Sequence, residues 1–214
     1  MKSIIIGATG LTGSLLLEKI AASDNFTSVT AIVRRDGTTQ HKKISYNITD
    51  FEKIAALKFQ ADTAFSCLGT TIKTAGNREN FRKVDFTYNL EFARACKKNG
   101  VERFILLSAM GADPASRIFY SSVKGELEEE VKKLGFRYLT IVRPSLLEGP
   151  RTEWRRGEFI ARKIMKVINP VFIGKLKKFR SVNIEQLIDM MIKEALRKDT
   201  GVRIIENDEI ISMK

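Results

Sequence analysis

An α/β fold built on a parallel sheet is predicted from three observations in this chain of 214 residues. Short apolar runs, of the length that buried strands use, alternate with longer amphipathic segments up to about residue 150. The first of these runs leads directly into a glycine-rich turn and a helical pattern. Polar or charged residues follow where several strands end, and open parallel sheets bind ligands at that edge. Together these features predict a doubly wound sheet covered by helices on both faces.

Length and composition predict one globular domain over residues 1–214. Hydrophobic residues make up 43% of the chain and charged residues 29%, as in globular proteins with a sizeable core. No run approaches the ~18 consecutive apolar residues of a membrane span, and no segment resembles an export signal, so we expect a cytoplasmic protein. A single histidine and two cysteines predict no metal site, and Cys67 and Cys96 are expected to be buried free thiols.

The glycine-rich turn joins a predicted strand at 3–6 to a helix that starts at Leu11. Its glycines follow the spacing G-x-x-G-x-x-G. A pyrophosphate needs backbone N–H groups at the positive end of a helix and no Cβ in the way. This pattern is weak in isolation, but here a strand precedes it and a helix follows it. We therefore predict a dinucleotide site formed by Gly7, Thr9, Gly10, Leu11, Thr12 and Gly13.

The second predicted strand, 29–33, ends in Arg34 and Arg35. In a dinucleotide site, the residues about 20 positions after the glycines face the adenosine ribose. An acidic residue there would accept a hydrogen bond from the 2′-hydroxyl of NAD, whereas arginine binds a 2′-phosphate. The pair therefore predicts NADP(H) as the cofactor. The alternative is that the two arginines only make a strand end soluble.

Two further strands lead to the predicted crevice. A third strand is expected at 43–47, and Asp50 then caps a helix over 51–58 and lies near the adenine edge. A fourth strand at 62–68 ends at the crevice, so we expect contacts with the cofactor from Leu68, Gly69 and Thr70. A polar loop and a long helix from about residue 78 to 98 follow.

A candidate catalytic group of three residues follows the fifth strand. The strand at 103–107 ends at Ser108, and a helix then begins near Tyr120 and Lys124. Residues four apart share a helical face, and an ammonium beside a phenol favours proton exchange near neutral pH. Ser108 would hold a substrate oxygen beside that hydroxyl. The motif Y-x-x-x-K is weak alone, but the strand-end serine and the glycine turn support it.

The sixth predicted strand, 138–142, is followed by the segment Arg143-Pro144, and beyond this segment strands and helices no longer alternate. Residues 151–180 hold ten Lys or Arg against two Glu, which is +8 of the net +12. We expect this segment to form a small cap over the crevice. Its charge indicates a solvated face, a nucleic-acid or anionic-membrane surface, or a wall for an acidic substrate, and we favour the first. Within it, 159–168 is a basic amphipathic helix whose peripheral membrane binding is the minority interpretation.

These residues resemble the short-chain dehydrogenase/reductase superfamily, in its extended and atypical branches. The glycine turn, the set Ser108, Tyr120 and Lys124, and the segment 143–145 fall where that superfamily keeps its own motifs. The runs 67–71, 106–113 and 157–163 further resemble the Tat-interacting-protein-like reductases. The resemblance covers nearly the whole chain and implies an NADPH-binding Rossmann domain with a short C-terminal lobe. It also implies contacts to the cofactor from Tyr120, Lys124, Arg143 and Pro144.

One position departs from the superfamily pattern. Its catalytic tetrad includes a helix asparagine, and the matching position here carries Asp85, while Asn89 lies one turn further on. We expect an oxidoreductase acting on a small carbonyl, alcohol or quinone-like substrate, as a monomer or homodimer. The alternative is a catalytically weak NADPH-binding regulatory or assembly protein that uses the basic segment as a partner surface, and nucleic-acid binding is a third, less favoured function.

Overall fold

The computed structural model describes residues 1–35, 37, 39–148 and 180–213, and their strands form one large parallel sheet and one small strand pair. The strands of the large sheet are β1 Lys2–Ile6, β2 Ser28–Val33, β3 Ile44–Ile48, β4 Thr63–Ser66, β5 Arg103–Leu107, β6 Tyr138–Arg143 and β9 Gly201–Glu206. The small pair consists of β7 Leu147–Glu148 and β8 Val182–Asn183.

The seven strands of the large sheet lie in the order β3-β2-β1-β4-β5-β6-β9, and all neighbouring strands are parallel. The chain winds outward from β1 to β3 and then returns past β1 to start β4. The order therefore reverses between β1 and β4, which is where doubly wound sheets open a crevice at the carboxyl ends of their strands. The predicted fold class, a Rossmann-type doubly wound sheet, is confirmed.

Helices cover both faces of this sheet. They are α1 Leu11–Ala22, α2 Ile72–Ala75, α3 Arg78–Arg82, α4 Asn89–Lys98, α5 Phe119–Lys133, α6 Ile184–Ala195 and α7 Asn207–Ser212, with a 3₁₀ helix at Phe51–Ala56 and a π-helical turn at Lys83–Tyr88. The π-helical turn joins α3 to α4, so the predicted helix at 78–98 is continuous but locally widened. The predicted helix at 51–58 is shorter than expected and has 3₁₀ geometry.

The central strand β1 divides the core into two layers. Ile5 packs with α1 and α6 on one face, whereas Ile4 and Ile6 pack with α4 and α5 on the other. All three isoleucines are buried, because a parallel strand with helices on both faces exposes neither side. The sheet is thereby fixed on both faces, which gives the carboxyl ends of its strands rigid positions.

The carboxyl end of the sheet leads to the base of the segment that was predicted to be a cap. In the small pair, Leu147 lies beside Val182 and Glu148 beside Asn183. The two ends of the described chain that flank the segment 149–179 therefore lie close together at Glu148 and Val182. The basic segment 151–180 and its amphipathic helix at 159–168 lie outside the described residues, except for Arg180. In the part of the chain that is described, no helix is both long and apolar enough to cross a bilayer.

Candidate functional site

The glycine turn lies between the end of β1 and the start of α1, as its sequence predicts. Gly7 has a φ of +83°, which side chains rarely adopt, and a Cβ there would lie 2.5 Å from the backbone of Cys67 and Leu68. A Cβ on Gly13 would lie 2.1 Å from the carbonyl oxygen of Gly7. These two glycines are therefore required by the protein's own packing, since they bring α1 against the ends of β1 and β4.

Gly10 differs from the other two glycines. Its φ of −83° is open to any residue, and a Cβ there would have the Gly7 oxygen as its nearest atom, at 3.4 Å, an ordinary contact. Gly10 precedes α1 as its N-cap and offers no side chain to the first-turn N–H groups of Leu11, Thr12 and Gly13. Thr9 and Gly10 are exposed. The turn thus has the open backbone that a pyrophosphate requires, and the chain fits the predicted cofactor here.

The adenosine side of the predicted site lies at the ends of β2 and β3. Arg34 is exposed, and its Cζ lies 5.6 Å from the centroid of the Phe51 ring, within cation–π range. Arg35 is exposed beside it. Asp50 accepts a hydrogen bond from the backbone of Glu52 at 3.1 Å and so caps the 3₁₀ helix, as predicted. The arginines and Asp50 therefore flank the same edge of the sheet.

Lys124, a predicted catalytic residue, and Asp85 contact each other directly. Lys124 Nζ lies 2.8 Å from Asp85 Oδ1, and both side chains are almost fully buried. The other Asp85 oxygen accepts from the backbone N–H of Thr70 at 2.8 Å. A Cβ on Gly69 would lie 3.3 Å from Asp85 Oδ1 and 3.9 Å from Lys124 Nζ. Asp85 therefore ties the loop after β4 to the lysine on α5.

The electrostatics of Lys124 follow from this ion pair. Burial alone would lower the pKa of Lys124, but the negative charge of Asp85, with smaller contributions from Tyr120 and Glu128, raises it above its ordinary value of 10.5. Lys124 therefore stays protonated at neutral pH although it is buried. An ammonium group in this place needs a partner, because an unpaired buried charge is strongly destabilising.

Ser108, at the end of β5, does not point freely into the crevice. Its hydroxyl donates to the buried carboxylate of Glu128, with 2.5 Å between Oγ and Oε1. Arg143 donates to both oxygens of Glu128, at 3.0 Å from Nε and 2.5 Å from Nη2, and pairs through Nη1 with Glu206 at 2.8 Å. These hydrogen bonds with Glu128 raise the pKa of the Arg143 guanidinium. Since a hydroxyl has one proton, Ser108 offers only lone pairs in the other directions.

Tyr120 lies on the first turn of α5, one turn before Lys124. Its side chain is exposed at the rim, and its ring centroid lies 5.7 Å from that of Phe81. The phenol is therefore accessible to a substrate, whereas Ser108 and Lys124 are buried behind it. Pro144 is buried after β6, and its carbonyl accepts from Met110 in the loop after Ser108. Its predicted contact with the cofactor stays a prediction, as does that of Arg143.

Asn89 performs a different task from the tetrad asparagine of the superfamily. It is buried and accepts from the hydroxyl of Ser66 at 2.6 Å. Its amide nitrogen donates to the carbonyls of Val84 at 2.9 Å and Leu68 at 3.2 Å. Val84 lies in the π-helical turn Lys83–Tyr88. Asn89 thus holds the end of β4 against this turn, and the carboxylate of Asp85 takes the place beside Lys124.

Two features of the site were not predicted from the sequence. Glu128 follows Lys124 by four residues, so the spacing Y-x-x-x-K-x-x-x-E places Tyr120, Lys124 and Glu128 on one face of α5. That spacing was the available signal for Glu128. The pairing of Asp85 with Lys124 had no local signal, because the two residues lie on different helices.

The chemistry of other polar groups is more limited. Cys67 and Cys96 are free thiols, and burial raises the pKa of Cys67 to about 12, so it is a poor nucleophile at neutral pH. Cys67 is half-buried rather than fully buried. Among the described residues, no cluster of His, Cys, Asp or Glu could hold a metal ion.

Comparison with known proteins agrees with this geometry. A family model described as NAD(P)H-binding matches residues 7–163. Protein HTATIP2 of Rattus norvegicus is 42% identical over 165 residues, which is 74% of this chain and 68% of the rat protein. The mitochondrial protein FMP52 of Candida albicans is 33% identical over 197 residues, covering 82% and 86% of the two chains.

A solved structure shows the same fold. MoeE5 in complex with UDP-glucuronic acid and NAD superposes with a TM-score of 0.74 over 99% of this chain and 80% of its own, at 17% sequence identity. From the match to the family model and the identity to the two relatives, the chain belongs to the NAD(P)H-binding family and is related to the HTATIP2 and FMP52 proteins.

Proposed function

We propose that the protein is an NADP(H)-dependent oxidoreductase that acts on a small carbonyl, alcohol or quinone-like compound. The observation that carries this proposal is the buried Lys124–Asp85 pair, which lies behind an accessible Tyr120 and against the loop that also packs on the glycine turn. The bound nicotinamide supplies or accepts a hydride. The groups of the chain itself hold the substrate oxygen and move its proton.

Each candidate catalytic residue has a role that its contacts support. The hydroxyl of Tyr120 exchanges a proton with the substrate oxygen, because it is the accessible hydroxyl on this face of α5. Lys124 stabilises the phenolate form of Tyr120 and anchors the nicotinamide ribose. The hydroxyl of Ser108 donates a hydrogen bond to Glu128, so its lone pairs can accept a hydrogen bond from a substrate hydroxyl. It polarises a carbonyl only when its hydroxyl turns away from Glu128.

The enzyme hypothesis is tested with Tyr120→Phe. We expect NADPH to bind the variant as it binds the wild type, while turnover of a panel of quinones, aldehydes and ketones falls by about 100-fold or more. The matched control is Tyr138→Phe, because Tyr138 lies at the opposite end of the sheet, at the start of β6. If the wild-type protein binds NADPH but reduces nothing in the panel, the regulatory alternative is favoured.

The preference for NADP(H) depends on Arg34 and Arg35. Both are exposed at the end of β2, and Arg34 is oriented by the Phe51 ring. The double variant Arg34→Ala/Arg35→Ala should weaken NADPH binding far more than NADH binding, since only NADPH carries the 2′-phosphate. Calorimetric titration with both nucleotides measures this difference. An equal loss for both would contradict the assignment.

The remaining features of the proposal concern the whole chain. We place residues 1–214 in one domain, with 151–180 as a basic cap over the substrate crevice, and we propose a cytoplasmic protein that is a monomer or homodimer. The yeast relative named above carries the word mitochondrial in its name, so fractionation of cells that express a tagged chain is the direct test of location. Light scattering of the purified protein decides the oligomeric state.

A further inference from the structure

The Asp85–Lys124 pair lies on the side of the glycine turn that is opposite to Arg34, next to the loop after β4. The sheet order places β2, with Arg34, on one side of the glycine turn and β4 and β5 on the other. A dinucleotide whose adenosine lies at β2 therefore extends its nicotinamide half over β4 and β5. The loop after β4 follows this path, since it touches Gly7 at Cys67 and the Asp85–Lys124 pair at Gly69.

Each buried cation on this side of the crevice has a buried carboxylate as its partner. Lys124 pairs with Asp85 at 2.8 Å, and Arg143 pairs with Glu128 at 2.5 Å and also with the more exposed Glu206 at 2.8 Å. The oxidised nicotinamide ring carries one positive charge and the reduced ring carries none. An unbalanced lysine in this place would therefore repel the oxidised ring and leave the reduced ring almost unaffected, while an unbalanced aspartate would have the opposite effect.

From this arrangement we infer that Asp85 is a positioning residue that balances the charge of Lys124 and thereby sets the relative affinity of the protein for NADP⁺ and NADPH. An asparagine in its place has one acceptor oxygen, so it could accept from Lys124 or from Thr70 but not from both, and it carries no charge. The substitution of Asp for the superfamily's asparagine thus changes the electrostatics of the site and not only its hydrogen bonding. The inference rests on the proposed nucleotide site.

The test measures dissociation constants for NADP⁺ and NADPH by calorimetry at pH 7 and constant ionic strength. For Asp85→Asn we expect the ratio Kd(NADP⁺)/Kd(NADPH) to rise about tenfold, because a unit charge within about a nanometre in a partly desolvated site has an effect of this order. For a two-electron couple, tenfold corresponds to about 30 mV in the potential of the bound nucleotide.

Two further variants should change the ratio Kd(NADP⁺)/Kd(NADPH) in directions that misfolding would not produce. Lys124→Gln leaves Asp85 unbalanced, so the ratio should fall below the wild-type value. The double variant Asp85→Asn/Lys124→Gln contains a neutral pair and should return the ratio to near that of the wild type. If Asp85→Asn does not fold, the ratios measured for Lys124→Gln and for the double variant still test the inference. The charge control is Asp189→Asn, whose carboxylate pairs with Lys19 on the surface at 2.5 Å.

The pH dependence provides a second signature. Without Asp85, burial lowers the pKa of Lys124, so raising the pH should return the ratio in Asp85→Asn toward the wild-type value at a lower pH than 10.5. The other groups that face Lys124 are the phenol of Tyr120 and the Glu128 carboxylate, which Arg143 balances. Both are present in all variants.

The outcomes separate this inference from the proposed function. If the wild type binds neither nucleotide, the proposed function and the inference both fail. If it binds both, and Asp85→Asn weakens them equally with no change in the ratio, Asp85 has only a structural role and the inference alone is overturned. A ratio that moves in the same direction in Asp85→Asn and Lys124→Gln would also overturn it.

Discussion

At the scale of single residues, the three glycines of the nucleotide turn lack side chains for two different physical reasons. Gly7 and Gly13 lack side chains because protein backbone occupies the space, whereas the space at Gly10 is open. A ligand that approaches the N-terminus of α1 explains why Gly10 has no side chain when the protein's own packing does not require it. The two kinds of glycine can be separated by experiment.

Gly10→Ala should fold normally and bind NADPH poorly. Its backbone angles suit alanine and its Cβ would meet only an ordinary contact, so the free energy of unfolding should change by less than about 1 kcal/mol. Affinity for NADPH, measured by calorimetry, should fall at least about tenfold because the methyl group stands between the backbone and the pyrophosphate. In contrast, Gly13→Ala should lose about 1–3 kcal/mol of stability through overpacking. Unchanged affinity in Gly10→Ala would contradict the phosphate site.

Lys124 makes stability depend on pH in a defined direction. Its pKa in the folded protein is raised above 10.5, so the folded state binds the proton more tightly than the unfolded chain does. The resulting stabilisation is fully present below about pH 10.5 and is lost as the pH rises through the folded-state pKa. We therefore compare the free energy of unfolding in urea between the wild type and Asp85→Asn/Lys124→Gln. The difference should be constant from pH 7 to 10, and above pH 10 the wild type should lose stability relative to the variant.

The control for this measurement is the exposed pair of Lys19 and Asp189 on the surface of the molecule. The double variant Lys19→Gln/Asp189→Asn should change the free energy of unfolding by less than about 1 kcal/mol, because solvent screens exposed pairs. A difference between the wild type and the Lys124 variant that stays constant up to pH 11.5 would show that the Asp85–Lys124 pair does not titrate as inferred.

At the scale of elements, the contact between β4 and the π-helical turn fixes the position of the loop that follows β4, next to the candidate site. Asn89 makes this contact through Ser66, Leu68 and Val84. Asn89→Ala should reduce the free energy of unfolding by about 1–3 kcal/mol, because it leaves buried polar groups without partners. Hydrogen exchange should show faster opening at residues 68–71, and Asn25→Ala at the surface serves as the control. Unchanged exchange in that loop would mean that Asn89 does not hold it.

The elements also show what a sequence can and cannot predict. The strands β1, β2, β5 and β6 lie within about two residues of their predicted positions. They could be predicted because buried parallel strands have continuous apolar sequences. The two-residue strands β7 and β8, the π-helical turn and α7 were not predicted. Each is stabilised mainly by contacts with distant parts of the chain, as where the side chain of Asn207 accepts from the backbone N–H of Ser145.

The same distinction holds within the candidate site. Ser108, Tyr120 and Lys124 were found because their spacing within the sequence reflects one strand end and one helix face. Asp85 was noted at the tetrad position, but its pairing with Lys124 and that of Glu128 with Arg143 were not predicted, because these residues meet only through the packing of helices and strands against each other. The roles of all these residues in catalysis stay predictions until turnover is measured.

At the scale of the whole molecule, nucleotide binding should appear as added stability. A ligand that binds only the folded state at 100 times its Kd adds about 2.7 kcal/mol, which for a chain of this size raises Tm by roughly 5–10 °C. NADPH should produce this shift, and NADH at the same concentration a smaller one. Arg34→Ala/Arg35→Ala should bring the two shifts together. Equal shifts in the wild type would remove the basis for a preference for NADPH.

The adjacent strands β7 and β8 have a consequence for how this protein can change. Because Leu147 and Val182 are neighbours, the chain between them starts and ends at one point on the rim of the crevice. The entropy of closing such a connection grows only with the logarithm of its length. Long and short versions of this segment should therefore differ little in their effect on the stability of the sheet, so the segment can change in length while the nucleotide-binding sheet is kept.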